Sequence, residues 1–141
     1  MVDTGRPKRR FATWFFIAVL PADASVQVDG EEMVDAVWIN PRHAVSEHKA
    51  GRLRLPPPTV VSLLDVAQSE TAAEAIAKAD DRSAPYFYPK ILAEDPENVV
   101  MLYPGDAGYD RSNKLAPGER HRARWVSGVI DYERSFEFAP R

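Results

Sequence analysis

The sequence predicts an α+β fold with a mixed sheet of about four to six strands and two or three helices. Two patterns lead to this expectation. Aromatic and β-branched residues alternate along several short segments, as is typical of strands, while capped stretches with a helical period lie between them. A length of 141 residues, of which 45% are hydrophobic, fits one domain with an ordinary core.

The first strand candidate is the apolar run from Phe11 to Leu20. Both of its alternating sets are apolar, which is typical of a strand covered on both faces. An alternative interpretation is a secretory signal over residues 1–24, because Lys8-Arg9-Arg10 precedes the run and Ala22-Asp23-Ala24 resembles a cleavage site. We favour the central strand, and with it a cytoplasmic protein. Cleavage of a signal would make it a secreted one.

A second strand candidate, Glu32 to Ile39, leads into three predicted helices. Asn40 can cap the first helix, Pro41 suits its first position, and Gly51 can supply a left-handed stop. Thr59 can cap a second helix with apolar residues at helical spacing. Thr71 and Glu74 have the spacing of a capping box and predict a third helix to about Ala79.

The last third of the chain predicts further strands. These are Tyr86–Tyr88, Asn98–Tyr103 and a closing antiparallel pair over 121–130 and 132–138, with a turn at Pro104-Gly105 and a polar loop over 106–117. The aromatic side chains of these strands are interpreted mainly as core residues. Stacking of a nucleic-acid-type base is the alternative.

The charge pattern excludes some functions. A net charge of −3 is not that of a general nucleic-acid binder. Basic residues cluster at 6–10 and at Arg120, Arg122 and Arg124, where solvated charge is the simpler interpretation and a patch facing carboxylate or phosphate is the alternative. With no cysteine, disulfides and thiolate chemistry are excluded.

Histidines do not suggest a metal site in this sequence. On one helix, His43 and His48 would point about 140° apart, so they cannot bind the same ion and are expected to be surface or partly packed residues. His121 stands among arginines, which disfavour its protonated form. No Gly-x-Ser-x-Gly elbow, phosphate loop or dinucleotide motif is found in the sequence.

Three stretches share a family pattern: 9–18, 29–41 and 53–59, with a weaker one at Leu102–Asp106 and in the Arg-rich tail. Together they resemble the C-terminal half of a Nudix hydrolase domain, in the branch that includes coenzyme A diphosphatases. The resemblance implies a partial Nudix-like sheet. Residues 1–82 would form the Nudix-like half, with its central strands and helices, and 83–141 a β-rich C-terminal extension of the same domain.

The metal-binding motif of that family is not found. It runs glycine, five residues, glutamate, seven residues, Arg-Glu, an aliphatic residue, any residue, Glu-Glu. None of the seven glycines has a glutamate six positions later, and no arginine directly precedes a glutamate. We therefore expect no catalytic residue, metal ligand or cofactor in this chain alone. Mg²⁺ or Mn²⁺ would act only if a Nudix motif completed the fold.

The resemblance still indicates a few site residues. Glu31 or Glu32 could correspond to the family's loop acid, an extra metal ligand or general base, although a solvent-facing turn is the simpler interpretation. Arg10 and Arg54 are candidates for ligand binding, and an ordinary exposed arginine is the alternative for Arg54.

These expectations define two functions. The first is a Nudix-like module, non-catalytic alone, that binds a partner or a nucleotide-like ligand. The alternative is a fragment of a Nudix hydrolase that cleaves nucleoside-diphosphate-linked or coenzyme A-type pyrophosphates with divalent metal. Because an incomplete sheet exposes an unpaired edge, a homodimer or a complementing chain is the expected partner. Nucleic acid and membrane are not expected.

Overall fold

A computed structural model describes residues 12–31, 35–95 and 97–140. The described residues contain three helices and four strands, which confirms the α+β class. The helices are α1 (Pro41–Lys49), α2 (Pro57–Val66) and α3 (Ala72–Asp80); the strands are β1 (Lys90–Asp95), β2 (Asn98–Leu102), β3 (His121–Val126) and β4 (Val129–Arg134).

The four strands form one sheet in the order β1-β2-β3-β4, with every neighbouring pair antiparallel. The sheet is therefore a meander of hairpins, whereas a mixed sheet was expected. A closing antiparallel pair is present as predicted, but its two-residue turn lies at Ser127 and Gly128, inside the first predicted strand over 121–130. Both turn residues have positive φ, 48° and 86°, as the tight hairpins that match strand twist require.

The sequence signals for α1 are confirmed. The Asn40 side chain accepts hydrogen bonds from the backbone N–H groups of Arg42 and His43, and Pro41 is the first helical residue. Gly51 follows the helix with φ of 73°, a conformation that a side chain would strain. Local chemistry thus sets both ends of this helix.

The other two helices differ slightly from expectation. Helix α2 begins at Pro57, two residues before the predicted cap Thr59, because proline tolerates the first helical turn. In α3 the Thr71 hydroxyl accepts from the N–H of Glu74 as predicted. The Glu74 carboxylate, however, accepts from the N–H of Glu70 rather than from that of the cap residue.

The core lies where the helices meet the sheet. Helices α1 and α2 pack against each other and against β4. Apolar side chains between them remove a continuous surface from water, which is the main stabilising contribution to such a fold. The buried cluster consists of Val60, Met101, Tyr103, Ala123 and Ile130.

Two strand predictions in the first forty residues are wrong within the described range. Residues 12–20 and 35–39 contain no strand, and neither segment is part of the sheet. A strand needs a neighbour to take up its backbone N–H and C=O groups, and no backbone hydrogen bond joins 12–20 to β1–β4 among the described residues. Phe11 and residues 32–34 of these predictions lie outside the described residues.

The Tyr86–Tyr88 strand is also misplaced, since the first strand of the sheet begins at Lys90. Residues 86–88 precede it without joining the ladder, because the register of β1 and β2 starts at Lys90 opposite Leu102. In the part of the chain that the structure describes, no helix has the length and hydropathy needed to cross a bilayer.

Candidate functional site

The best-defined polar site is a buried ion pair between Asp106, after β2, and Arg122 on β3. Nε of Arg122 lies 2.7 Å from Oδ2 of Asp106, and Nη2 lies 2.7 Å from Oδ1. The carboxylate also accepts from the N–H of His121 at 2.9 Å and from the N–H of Gly108 at 2.8 Å. The two side chains are 0% and 3% exposed. Both oxygens of Asp106 are therefore committed to the fold.

The environment keeps Asp106 ionised. Burial by itself raises the pKa of this carboxyl, but hydrogen bonds from Arg122, His121 and Gly108 and the charge of Arg122 outweigh it, so the pKa lies below its ordinary value. The remaining donor of the guanidinium, Nη1, donates to the carbonyl oxygen of Lys114 at 2.7 Å. The pair thus fastens the loop over 106–117 to the sheet.

The basic cluster of Arg120, Arg122 and Arg124 was interpreted mainly as solvated charge. This interpretation is wrong for Arg122. Arg124, two residues further along β3, is exposed as expected, and Arg120 donates to the carbonyl oxygen of Ala116. The alternative interpretation, a bidentate contact to a carboxylate, describes Arg122 correctly. Its carboxylate belongs to this chain. A sequence signal for this ion pair was Asp106, the first residue of the polar loop after the Pro104-Gly105 turn. No partner had been assigned to its carboxylate.

His121 lies beside this pair inside an aromatic cluster. Its Nδ1 donates to the carbonyl oxygen of Pro104, 2.6 Å away. Burial lowers the pKa of His121, and the nearby charge of Arg134 lowers it further, while the hydrogen bond to Pro104 opposes the change. The sequence predicted that the protonated form of His121 is disfavoured. The lowered pKa confirms this direction, although burial rather than the neighbouring arginines is the main cause. The rings around His121 are those of Phe87, Tyr103, Tyr132, Phe136 and Phe138.

His48 is a buried structural residue, 1% exposed, rather than a surface or partly packed one. Its Nε2 accepts from the N–H of Ile130 at 2.8 Å, so the ring proton is on Nδ1, which donates to the carbonyl oxygen of Leu53 at 2.9 Å. His43 is exposed. The two histidines therefore lie in different environments.

The structure does not bring the predicted site residues together. Glu31 is exposed, and its backbone N–H donates to the Asp29 carboxylate in a local turn. Arg54 is exposed after α1. No hydrogen bond or ion pair joins Glu31 to Arg54 in the described ranges. Glu32 and Arg10 lie outside the described residues.

A divalent metal needs several oxygen or nitrogen donors in one place. Over 12–31, 35–95 and 97–140, no three His, Asp or Glu side chains lie close enough together to hold an ion. The carboxylate of Asp106, buried against Arg122, has no oxygen to offer. The described residues by themselves do not fit the divalent metal that a Nudix hydrolase would use.

The second candidate site is an interaction surface, the N-terminal apolar segment, which we define as residues 12–20. Every residue of this segment is exposed, and its aromatic side chains are among the most exposed of the described residues, with Trp14 73% and Phe16 88% accessible. Val37 and Trp38, just before α1, are exposed as well. Contiguous exposed apolar surface is a common feature of interaction sites.

Comparison with known proteins points to one family. No family model and no solved structure matches the chain. The Caenorhabditis elegans protein "Putative nudix hydrolase 7" is 30% identical over 108 residues, 76% of this chain and 36% of that protein. The Xenopus laevis protein "Acyl-coenzyme A diphosphatase NUDT19" is 27% identical over 122 residues, 85% of this chain and 32% of that protein.

The chain is related to Nudix hydrolases. It spans about a third of the length of these curated Nudix relatives. Its helices and sheet are consistent with part of a Nudix-like domain. The relationship supports the resemblance first seen in the sequence.

Proposed function

We propose that this chain is a Nudix-related binding module that does not hydrolyse pyrophosphates alone and that docks a strand-bearing polypeptide through its N-terminal apolar segment. The docked polypeptide is the part of a Nudix domain that carries the metal-binding carboxylates. The ligand class is a nucleotide-like molecule.

One observation carries this proposal: the apolar segment 12–20 is exposed, and among the described residues no backbone hydrogen bond joins it to the sheet, although it has the sequence of a central strand. Leaving such side chains in water costs roughly 25 cal/mol for each Å² of apolar area that could be buried. A neighbouring strand would cover the aromatic side chains and take up the backbone hydrogen bonds at the same time. β-Strand addition is the recognition mode that uses both contributions.

The described acids support the absence of hydrolysis by the chain alone. Pyrophosphate hydrolysis of the Nudix type needs several carboxylates around divalent metal. Asp106 is fully engaged with Arg122, His121 and Gly108. Glu31 lies on an exposed turn, where its backbone N–H donates to the Asp29 carboxylate, and no group of three potential metal ligands is found there among the described residues.

The test is complementation. The purified chain is incubated with an acyl-coenzyme A and Mg²⁺, first alone and then after co-expression with the portion of the Xenopus laevis relative that lies outside the matched region. We expect no turnover by the chain alone and formation of a complex in the second case. Phe16→Asp should abolish the complex, whereas Leu115→Asp, a change at another exposed apolar residue, should not. Turnover by the chain alone at the rate of the intact relative would contradict the proposal.

The second function, a piece of a coenzyme A-type pyrophosphatase, is favoured by the name of the Xenopus laevis relative and by the 85% of this chain that the match covers. It predicts that the complemented complex cleaves the pyrophosphate of acyl-coenzyme A. A complex that forms but cleaves nothing would leave the binding module as the function and remove this one.

A further inference from the structure

The two outer strands of the sheet, β1 and β4, differ in how their outward backbone groups are bonded. In an antiparallel ladder, hydrogen-bonded pairs alternate with non-bonded pairs, so every second residue of an outer strand directs its N–H and C=O away from the sheet. On β4, the N–H of Ile130 donates to Nε2 of His48 at 2.8 Å. Helix α1 therefore covers this edge.

The register shows which residues of β1 point outward. The N–H of Tyr103, one residue past β2, donates to the carbonyl oxygen of His121 at 2.9 Å, so alternate residues before it face β3 and Val100 faces β1. Leu92 is the partner of Val100 and directs its backbone groups toward β2. The residues on either side of Leu92 therefore direct theirs away from the sheet.

The open part of this edge is the stretch 91–93. No backbone hydrogen bond to the outward groups of Ile91 and Ala93 is found in the ranges that the structure describes. Before this stretch, the carbonyl oxygen of Tyr88 accepts from the Tyr109 hydroxyl at 3.0 Å. After it, the register shifts between Ala93 and Asp95. Two N–H and two C=O groups thus remain for an added strand.

The side chains next to this edge are apolar. On one face of the sheet, a row that crosses all four strands consists of Ala93, Val99, Trp125 and Ile130. Ile130, beneath the helices on β4, is 2% exposed, whereas Trp125 is 42% exposed and Ala93 is exposed as well. An apolar strand beside β1 would extend this row and remove part of it from water.

We propose that the β1 edge receives the N-terminal apolar segment of a second copy of this chain as an added strand. Strand addition needs an open sheet edge and an extended segment whose side chains fit beside it. The segment 12–20 is exposed, and no backbone hydrogen bond joins it to the sheet among the described residues. One contact between two copies would bond the edge and cover the segment. Pairing of two β1 edges with each other would leave 12–20 in water.

Reciprocal exchange closes the assembly, because each copy then donates one segment and receives one across a two-fold axis. The segment is the one that the proposed function assigns to a complementing polypeptide. A complementing polypeptide would therefore compete with the second copy for 12–20. The inference itself concerns the chain alone, so its tests contain no complementing polypeptide.

The first test is disulfide cross-linking between copies, which is clean because the chain contains no cysteine. Single-cysteine variants along the segment, Ala12→Cys, Phe15→Cys and Ala18→Cys, are each mixed with Ala93→Cys and oxidised. We expect a mixed disulfide in at least one mixture, since bridged residues need Cα atoms within about 7 Å. Leu115→Cys, at a residue that is 81% exposed, replaces Ala93→Cys as the matched control. Mixed disulfide no more abundant than in the control, or a predominant Ala93→Cys homodimer, would overturn the inference.

The second test is hydrogen exchange, which does not depend on the register of the added strand. The amides of Ile91 and Ala93 should be protected in the associated chain. Phe16→Asp should accelerate their exchange about tenfold when about nine-tenths of the unmodified chain is associated. The amide of Leu92, which faces β2, should exchange equally slowly in both and is the internal control.

Equal exchange of Ile91 and Ala93 in the two proteins would overturn the inference. The proposed function would still stand if Phe16→Asp abolished the complex with the complementing polypeptide. Conversely, a failure of complementation would leave the cross-link and the protected amides as evidence for strand addition. The two proposals therefore fail independently.

Discussion

At the residue scale, the pair Asp106–Arg122 determines how the loop over 106–117 is held. Four hydrogen bonds converge on the carboxylate, and both partners are shielded from water. Paired burial compensates the cost of removing two charges from water, but neither charge is tolerated alone. The pair is therefore a sensitive point of the fold rather than a reactive group.

We predict that Asp106→Asn lowers the free energy of unfolding by about 3–5 kcal/mol, because it leaves the Arg122 guanidinium buried without its counter-charge. Urea denaturation at neutral pH measures the change. Asp131→Asn, on an exposed position of β4, is the matched control and should change stability little. The double variant Asp106→Asn/Arg122→Met should recover part of the loss. A single variant as stable as its control would show that the pair contributes nothing.

The pH dependence of stability follows from His121. Its pKa is lowered in the folded chain, so the unfolded chain binds a proton more readily. Stability is thus retained above the unfolded value of about 6.5 and lost as the pH falls through the folded value. The lowered pKa of Asp106 adds a second loss, starting below about pH 4.

We expect the free energy of unfolding to decrease between about pH 7 and pH 5, in the range set by an ordinary histidine pKa. In His121→Phe this decrease should be smaller, since the titrating group is gone while an aromatic ring remains. Urea titrations across the pH range provide the measurement. His43→Phe, at an exposed position, is the matched control. Identical slopes for both variants would exclude His121 as the source.

At the element scale, His48 joins α1 to the sheet. Its imidazole accepts a hydrogen bond from the backbone N–H of Ile130 on β4 at 2.8 Å. It also donates one to the carbonyl oxygen of Leu53, after the helix, at 2.9 Å. An unpaired backbone group buried in the core costs free energy comparable to a lost hydrogen bond. The histidine therefore fixes both the position of α1 and the chain that leaves it.

We predict that His48→Phe reduces the free energy of unfolding by about 2–4 kcal/mol, because it leaves the N–H of Ile130 and the carbonyl of Leu53 without partners. His43→Phe on the same helix is the matched control. Hydrogen exchange at the Ile130 amide should accelerate in the first variant alone. Unchanged protection of that amide in His48→Phe would contradict the assigned role.

The sequence predicted the elements whose ends are set by local chemistry. The cap, proline and glycine of α1 are encoded within a few residues, so they could be predicted without knowledge of the fold. The turn between β3 and β4 was placed after Ile130, whereas it lies at Ser127 and Gly128. The burial of Arg122 could not be predicted in this way, because its partner Asp106 lies 16 residues away in the sequence. The strand prediction for residues 12–20 was wrong for a related reason. The alternation of side chains shows the two faces of a strand but does not identify the neighbouring strand with which it must pair.

At the scale of the whole molecule, the described chain combines a packed sheet-and-helix unit with an exposed apolar segment. The unit contains the buried cluster between α2 and the sheet, while 12–20 contributes nothing to it. Such a surface favours association, either with a complementing chain or with another copy of this chain. When no complementing chain is present, we expect the chain to self-associate.

We predict that the purified chain self-associates, so that its weight-average mass in sedimentation equilibrium rises with concentration. Phe16→Asp should shift the chain toward monomer, because it places a charge in the middle of the apolar segment. Leu115→Asp introduces the same charge at a residue that is 81% exposed and should not affect association. A mass independent of concentration in the unmodified chain would contradict this expectation.

The loop over 106–117 also hides a charge. Arg122 and Arg124 are two positions apart on β3 and share one side of the strand, yet only Arg124 meets solvent, because Asp106 and the Lys114 carbonyl hold the other guanidinium. A protease that nicked this loop would withdraw the Lys114 carbonyl from Arg122, while Asp106, four residues after β2, would stay on the guanidinium. The nicked and the uncut molecule should therefore both pass through a heparin column, and retention of the nicked one would show that the loop alone hides the charge.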